Sequence, residues 1–130
     1  MHPISLYCTA ILGALVFLLG LFVSVQRFRS KLGSGQAEER NALINRVIRA
    51  HGNTTEFAPF LAILFLYLGS HNPSSLVLGL IVVATLCRCL IVAGLIGYAN
   101  MNRPNPLRFT GALGTYLSGA GLCLALVMGG

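Results

Sequence analysis

The segment 46-RVIRAHGNTTEFAPFL-61 places two arginines, an asparagine and a glutamate directly before the apolar run 61-LAILFLYLG-69. That apolar run is too short to cross a hydrocarbon core of about 30 Å at about 1.5 Å per residue. A helix that spans the membrane here must extend upstream of Glu56. The sequence therefore predicts that a carboxylate is carried into the bilayer.

The composition is that of a membrane protein. Of the 130 residues, 55% are hydrophobic and 9% are charged, whereas soluble domains have about 25% charged residues. We therefore expect one integral membrane domain over residues 1–130. The net charge of +6 is dispersed among apolar runs instead of forming one basic face, so we expect no nucleic-acid partner.

The cysteines are interpreted as small apolar residues, since each lies inside an apolar run: Cys8, Cys87, Cys89 and Cys123. On a helix, Cys87 and Cys89 would point about 200° apart and could not share a metal ion. We expect neither a disulfide framework nor a metal site.

Four segments are predicted to span the membrane, at about 4–25, 45–69, 75–98 and 109–129. Only Met-His-Pro precedes the first, without the positive region of a signal peptide, so we expect that helix to be retained. The predicted fold class is all-α, an integral membrane four-helix bundle.

The basic residues of the connections predict the orientation, because lysine and arginine are enriched in cytoplasmic loops. The first connection carries Arg27, Arg29, Lys31 and Arg40, and the third carries Arg103 and Arg108, whereas the second, 70-SHNPSS-75, carries none. We expect both basic connections to be cytoplasmic and both termini to be outside, most simply in a bacterial inner membrane.

The second span carries a polar stripe. At about 100° per residue, Arg46, Arg49, Asn53 and Glu56 fall within an arc of about 80° and form a column about 15 Å tall. Such a column is suited to a zwitterionic or polyanionic solute that enters from the cytoplasm. For Arg46 and Arg49 alone, the alternative is that they anchor the helix by snorkelling to the headgroups.

Arg88 in the third span is predicted to lie at the depth of Glu56. Glu56 precedes Gly69 by 13 residues and Arg88 follows Ser75 by 13 residues, so both are about 20 Å from the outer side. Because an intramembrane charge costs about 2.5–3.5 kcal/mol, we expect Glu56 to face Arg88, within the bundle or across a subunit boundary. The alternative role of this pair is to fix the helix register.

The same stretch resembles the signature of the MAPEG family, the membrane-associated proteins in eicosanoid and glutathione metabolism. The pattern combines an arginine, an alanine, an asparagine, a glutamate, an aromatic residue and a proline, here Arg49, Ala50, Asn53, Glu56, Phe57 and Pro59. The resemblance extends over the whole chain, through its length, its four spans, its topology and the turn 97-GYANMNRPNPLRFTGALGTYL-117.

The resemblance implies a homotrimer that binds glutathione as co-substrate between subunits, near the cytoplasmic face, with a lipophilic partner and lipids reaching it from the bilayer. Glutathione has two carboxylates and an ammonium group, which suit a cleft containing cations and a carboxylate. Tyr98 matches a ligand-contacting tyrosine of the eukaryotic synthases. The glutathione-binding residues so implied are Arg46, Arg49, Asn53, Glu56, Arg88 and Tyr98.

The resemblance also implies an arginine near the start of the last helix that activates the thiol, since a nearby guanidinium favours the thiolate. Arg103 and Arg108 are both candidates for this catalytic role, and cytoplasmic anchoring is the alternative for each. The chain departs from the family pattern at Phe57, where tyrosine is frequent, and at Ile91, where many bacterial relatives have histidine.

The expected function is a membrane-embedded glutathione-dependent transferase or peroxidase that acts on lipophilic electrophiles. The alternative is a MAPEG-like protein that binds lipid or glutathione without catalysis, as some family members do. A small multidrug exporter would also fit the length and span count, but such exporters depend on an acidic residue in the first helix. The first span here contains no charged residue.

Overall fold

The computed structural model describes residues 1–39, 42–100 and 102–129, in which the chain forms four helices and no strand. The helices are α1 (Pro3–Arg29), α2 (Leu43–Gly69), α3 (Ser75–Gly97) and α4 (Pro106–Met128). The predicted all-α four-helix fold is confirmed. The third span agrees closely with α3, whereas α1 continues to Arg29 and α4 begins at Pro106, because helices extend past the hydrocarbon core into the interface.

Helices α1, α3 and α4 are each long and apolar enough to cross a membrane, as judged by length and composition. Helix α2 has 27 residues and is long enough, but its first half carries the polar stripe. Pro59 lies inside α2 without ending it. Large apolar side chains are exposed on the outer faces, for example Phe17 and Val127, as expected for a surface that contacts lipid or other subunits.

The helices pack in neighbouring pairs. Helix α1 packs mainly against α2, and α3 packs mainly against α4, while α2 and α3 join the two pairs. All four helices contribute to the principal apolar core, for example through Leu12, Phe65, Ile81 and Leu122. This core lies between the polar stripe and the end of the bundle at which the chain begins.

Small residues bring α3 and α4 into close contact. A Cβ atom added to Gly111 would lie 2.7 Å from the main-chain oxygen of Cys87 and 2.6 Å from a side-chain carbon of Ile91. Gly114 packs similarly against the Cys87 side chain. Because Arg88 and Ile91 lie on the same part of α3, this contact holds the first turns of α4 beside them.

Hydrogen bonds fix the two ends of the bundle. The His2 amide donates to the Gly69 carbonyl over 2.8 Å, which places the start of α1 beside the end of α2. At the opposite end, Asn45 donates to the carbonyls of Ala37 and Glu39 and accepts from the Ala37 amide. We call this opposite end, with connections 30–42 and 98–105, the basic end. Arg40, one of the predicted basic residues there, lies outside the described residues.

Candidate functional site

The polar stripe on α2 is divided between two environments. Asn53 lies on the side of the stripe that packs against α3, where it contacts Arg88. Arg49 and Glu56 lie on the outer side, and each side chain is 56% exposed. The arc predicted from the sequence is therefore present, but its two edges have different surroundings.

Arg88 is the largest fully buried side chain of the described residues, with a relative exposure of 0%. Its Nη2 donates to the side-chain oxygen of Asn53 over 2.5 Å and to the main-chain oxygen of Asn53 over 3.1 Å. The guanidinium carbon also lies 4.8 Å from the ring centroid of Phe57, an attractive cation–π geometry. The Nε and Nη1 atoms of Arg88 are buried and form no hydrogen bond with the described protein atoms.

The expected pair of Glu56 with Arg88 is not formed within the described chain. Glu56 instead lies 3.9 Å from Arg49, two turns earlier on the same helix. The reason is the direction of the side chains: Asn53 and Phe57 point toward α3 and receive Arg88, whereas Glu56 points outward about 100° away from Phe57. Pairing of these two residues across a subunit boundary stays a prediction.

A polar cavity of about 820 Å³ opens beside Arg88, within the usual size range of ligand sites. Helices α2, α3 and α4 and the connection between α3 and α4 all contribute to this cavity, and four of its lining residues are arginines. Its lining comprises Arg49, Asn53, Phe57, Arg88, Ile91, Leu95, Asn102, Arg103, Pro104, Asn105, Pro106, Arg108, Phe109, Ala112 and Tyr116.

Arg108 and Arg103 enter this cavity from different backbone settings. Arg108 lies in the first turn of α4, and its stem packs closely enough on Gly94 that an added Cβ there would lie 2.9 Å from Arg108 Cγ. Arg103 is exposed and lies in the connection before α4. The helix therefore fixes the position of Arg108 more strongly than the connection fixes Arg103.

Asn105 is a residue of the site that the sequence interpretation missed. Its side-chain oxygen accepts from the Leu107 amide over 3.0 Å, and its Nδ2 donates to the Gly94 carbonyl over 2.7 Å. The side chain thus caps α4 and joins its start to α3. The sequence does contain a signal for this cap, because an asparagine directly before a proline at a helix start is a typical N-cap.

Arg46 and Tyr98 lie near the cavity but are not among its lining residues. The Arg46 guanidinium donates to the carbonyl of Ile96 and, over 3.4 Å, to that of Tyr98. A cation at this position also interacts favourably with the negative end of the α3 dipole. Tyr98 is the C-cap residue of α3, and its side chain is exposed.

An apolar groove of about 370 Å³ adjoins the polar cavity and lies between α2 and α4. Phe57 and Tyr116 line both spaces. Glu56 belongs to the groove and not to the polar cavity, which separates it from Arg49 and Asn53. The groove is lined by Glu56, Phe57, Phe60, Leu61, Leu64, Thr115, Tyr116, Gly119, Ala120 and Cys123.

The polar lining of the cavity consists chiefly of hydrogen-bond donors. Arginine side chains only donate, and the Asn53 oxygen is already bonded to Arg88, so Asn53 offers its amide N–H groups. Such a site favours a ligand rich in carboxylates or other anionic acceptors. No group of three or more His, Cys, Asp or Glu residues with the geometry of a metal site occurs in the described parts of the chain.

Comparison with known proteins agrees with this architecture. The MAPEG family model matches residues 5–128, which is nearly the whole chain. No curated protein and no solved structure gives a significant match. The fold of four helices, three of them apolar enough to span a membrane, is that of this family of membrane four-helix bundles. The chain therefore belongs to the MAPEG family and is an integral membrane protein related to glutathione and eicosanoid metabolism.

Proposed function

We propose that the protein is a membrane-embedded glutathione-dependent transferase or peroxidase that acts on lipophilic electrophiles. The observation that carries this proposal is the polar cavity, in which Arg49, Arg88, Arg103 and Arg108 surround one space beside an apolar groove. A charged, water-soluble co-substrate suits the first space and a lipophilic substrate suits the second. Their meeting point is the shared wall formed by Phe57 and Tyr116.

Glutathione fits the charges of this site. Its two carboxylates pair with the arginines, and the buried Nε and Nη1 of Arg88, which lack hydrogen-bond partners in the described protein, are donors for an acceptor that reaches the base of the cavity. Its ammonium group pairs with Glu56, which lines the adjoining groove and lies 3.9 Å from Arg49 of the cavity. Asn53, held by Arg88, directs its amide N–H groups toward the same ligand.

A homotrimer would complete this site. Arg49 and Glu56 are each 56% exposed on a single subunit, although both lie on a helix that packs among membrane-spanning helices. Charged groups at such depth are costly when they face lipid, so a neighbouring subunit that covers them removes this cost. In this arrangement Tyr98, exposed beside the cavity, contacts the ligand, and Arg46 positions the end of α3 behind it.

We propose Arg108 as the residue that activates the thiol. Its stem is packed on Gly94 and its main chain lies in the capped first turn of α4, so its guanidinium is held more rigidly than that of Arg103. A fixed cation favours the thiolate over the thiol. Arg103, at the exposed mouth of the cavity, is assigned to carboxylate binding.

The basic end of the bundle is proposed to face the cytoplasm, in a bacterial inner membrane, because lysine and arginine are enriched in cytoplasmic connections. The polar cavity lies toward this end, since its lining includes the connection between α3 and α4. Glutathione would thus enter from the cytoplasm, and the lipophilic substrate would enter laterally from the bilayer.

The test uses the purified full-length protein in detergent. We expect millimolar glutathione to raise its Tm, and we expect turnover of glutathione with a chlorinated nitrobenzene and with an organic hydroperoxide. Ophthalmic acid, in which a methyl group replaces the thiol, is the matched ligand: it should stabilise without turnover. Stabilisation by both ligands with no turnover would identify a non-catalytic binding protein, and no stabilisation by either would refute glutathione binding.

A further inference from the structure

Tyr116 occupies the boundary between the polar cavity and the apolar groove. It shares this wall with Phe57, and of the two only Tyr116 carries a hydroxyl. The two rings are in contact, with centroids 5.9 Å apart and planes inclined by 47°. Because the Phe57 ring also receives the Arg88 guanidinium, Tyr116 lies next to the part of the cavity where the cationic charge is concentrated.

The Tyr116 hydroxyl is available for a hydrogen bond with a ligand. Tyr116 is 58% exposed, and its hydroxyl forms no hydrogen bond with any described residue of the chain. It follows Pro106, the first residue of α4, by ten residues, which is about 15 Å of helix and places it well inside the membrane. Transfer of a hydroxyl from water to an apolar environment without a hydrogen-bond partner costs about 2–7 kcal/mol, depending on the reference state.

The groove that begins at Tyr116 has the dimensions of an apolar chain. It follows α2 from Phe57 to Leu64 and α4 from Tyr116 to Cys123, about 10 Å along each helix axis at about 1.5 Å per residue. Apart from Glu56 at one end and Thr115, its side chains are apolar, aromatic or small. A substrate with its tail in this groove places its polar end beside the Tyr116 hydroxyl.

We propose that Tyr116 is the proton donor for the reduction of lipid hydroperoxides, with the apolar tail of the hydroperoxide bound in the α2–α4 groove. This inference rests on the proposed function, because it requires glutathione thiolate in the polar cavity. The thiolate sulfur attacks the terminal oxygen of the hydroperoxide. A sulfur–oxygen bond forms, the oxygen–oxygen bond breaks, and the leaving alkoxide takes the proton of the Tyr116 hydroxyl.

Thiolate, hydroperoxide and tyrosine give glutathione sulfenic acid, alcohol and tyrosinate, and water then returns a proton to the tyrosinate. The sulfur is oxidised and the oxygen–oxygen bond is reduced. A second glutathione then converts the sulfenic acid to disulfide and water. Arginine cannot take the role of Tyr116, because its guanidinium does not give up a proton in proteins, whereas a tyrosine hydroxyl is a recognised general acid.

The test compares Tyr116→Phe with the unaltered protein on two substrates. Reduction of linoleic acid hydroperoxide needs a proton for its leaving oxygen, whereas chlorodinitrobenzene releases chloride, which does not. We expect Tyr116→Phe to lower kcat for the hydroperoxide by about a hundredfold, the usual lower range for loss of a general acid. Its kcat for chlorodinitrobenzene and its Kd for glutathione should each change less than about threefold.

Tyr67→Phe is the matched control, because Tyr67 loses the same hydroxyl but lies in the last turn of α2 and stacks on His71, outside both spaces. It should leave both activities unchanged. An equal loss of both activities in Tyr116→Phe would show a merely structural role and overturn the inference, as would an unchanged hydroperoxide kcat. If the unaltered protein neither binds glutathione nor turns over either substrate, the proposed function itself fails; transferase activity without hydroperoxide reduction refutes the inference alone.

Discussion

Arg88 donates to both oxygen atoms of Asn53, a residue 35 positions earlier in the chain. This contact joins α3 to α2 beside the polar cavity and occupies the side-chain oxygen of Asn53, so that the amide N–H groups are what Asn53 can offer to a ligand. It also leaves two nitrogen atoms of a fully buried guanidinium without hydrogen-bond partners among the described residues. A buried cation with unused donors is expensive for stability, which is the pattern expected of a residue retained for ligand binding.

Replacement of Arg88 tests this interpretation. Arg88→Met keeps much of the side-chain volume and removes the charge, so the ligand-free protein should keep its Tm within about 5 °C, corresponding to roughly 1 kcal/mol. The rise in Tm produced by glutathione should disappear, since the base of the cavity loses its donors. Differential scanning calorimetry with and without glutathione measures both effects. A large fall in the ligand-free Tm would instead make Arg88 chiefly a structural link between helices.

Glu56 is expected to recognise the ammonium group of glutathione and to contribute little to folding. Its contact with Arg49 is long, at 3.9 Å, and both side chains are 56% exposed, a setting in which an ion pair contributes about 0–1 kcal/mol. Glu56→Gln should weaken glutathione binding by about ten- to a hundredfold, because hydrogen bonds to charged groups contribute about 1.5–3 kcal/mol.

The matched ligand for this prediction is a glutathione analogue that lacks the amino group. Isothermal titration calorimetry should show that Glu56→Gln binds the analogue as tightly as the unaltered protein does. If Glu56→Gln weakens both ligands equally, Glu56 does not contact the ammonium group, and its effect must come from the shape of the site or from subunit association.

The fold was predictable from the sequence because length and hydropathy determine where a helix can cross the membrane. The helical period places Arg49 and Asn53 within one arc of α2, and both residues line the polar cavity. It could not predict which residue pairs with Arg88, since Asn53 and Glu56 lie about 60° apart on the same stripe and helix rotation decides between them. That rotation depends on the packing of Phe57 against the guanidinium, a tertiary contact.

The contribution of α4 was only partly predictable. Arg103 and Arg108 were identified as candidates, and both line the cavity. However, Arg108 is held more firmly than Arg103, and this depends on the packing against Gly94 and on the Asn105 cap. Tyr116 was not assigned any role, because its position on the shared wall results from the close approach of α3 and α4 at Gly111 and Gly114. Close contacts of this kind have no fixed sequence spacing.

The two arginines near the start of α4 should have separable effects on catalysis. Arg108→Gln should lower kcat with chlorodinitrobenzene by about a hundredfold and shift the pH dependence of turnover upward, because the bound thiol loses its nearby cation. Arg103→Gln should raise KM for glutathione with a smaller change in kcat. Steady-state kinetics across pH compares them. The opposite distribution of effects would assign thiol activation to Arg103.

The α3–α4 contact should be sensitive to a single methyl group. Gly111→Ala would place its Cβ within 2.7 Å of the Cys87 carbonyl oxygen and 3.0 Å of the Ile91 amide, both main-chain atoms that cannot move locally. We expect a loss of about 1–3 kcal/mol in the free energy of unfolding. Gly79→Ala, on α3, has no atom within 4 Å of its added Cβ and is the matched control. Equal Tm values for the two variants would show that α3 and α4 do not approach this closely.

The α2–α4 groove should set the chain length of the lipophilic substrate. An added Cβ at Gly119 would lie 4.0 Å from Leu61, an ordinary contact distance, so Gly119→Leu can be accommodated while its side chain fills the groove. It should lower kcat/KM for linoleic acid hydroperoxide by about tenfold, equivalent to about 1.4 kcal/mol, because the tail loses its binding space. Cumene hydroperoxide, whose apolar part is short, should be reduced at nearly the original rate. Gly79→Leu, which adds the same side chain outside the groove, should change neither activity; a similar loss for both hydroperoxides in Gly119→Leu would show that the tail binds elsewhere.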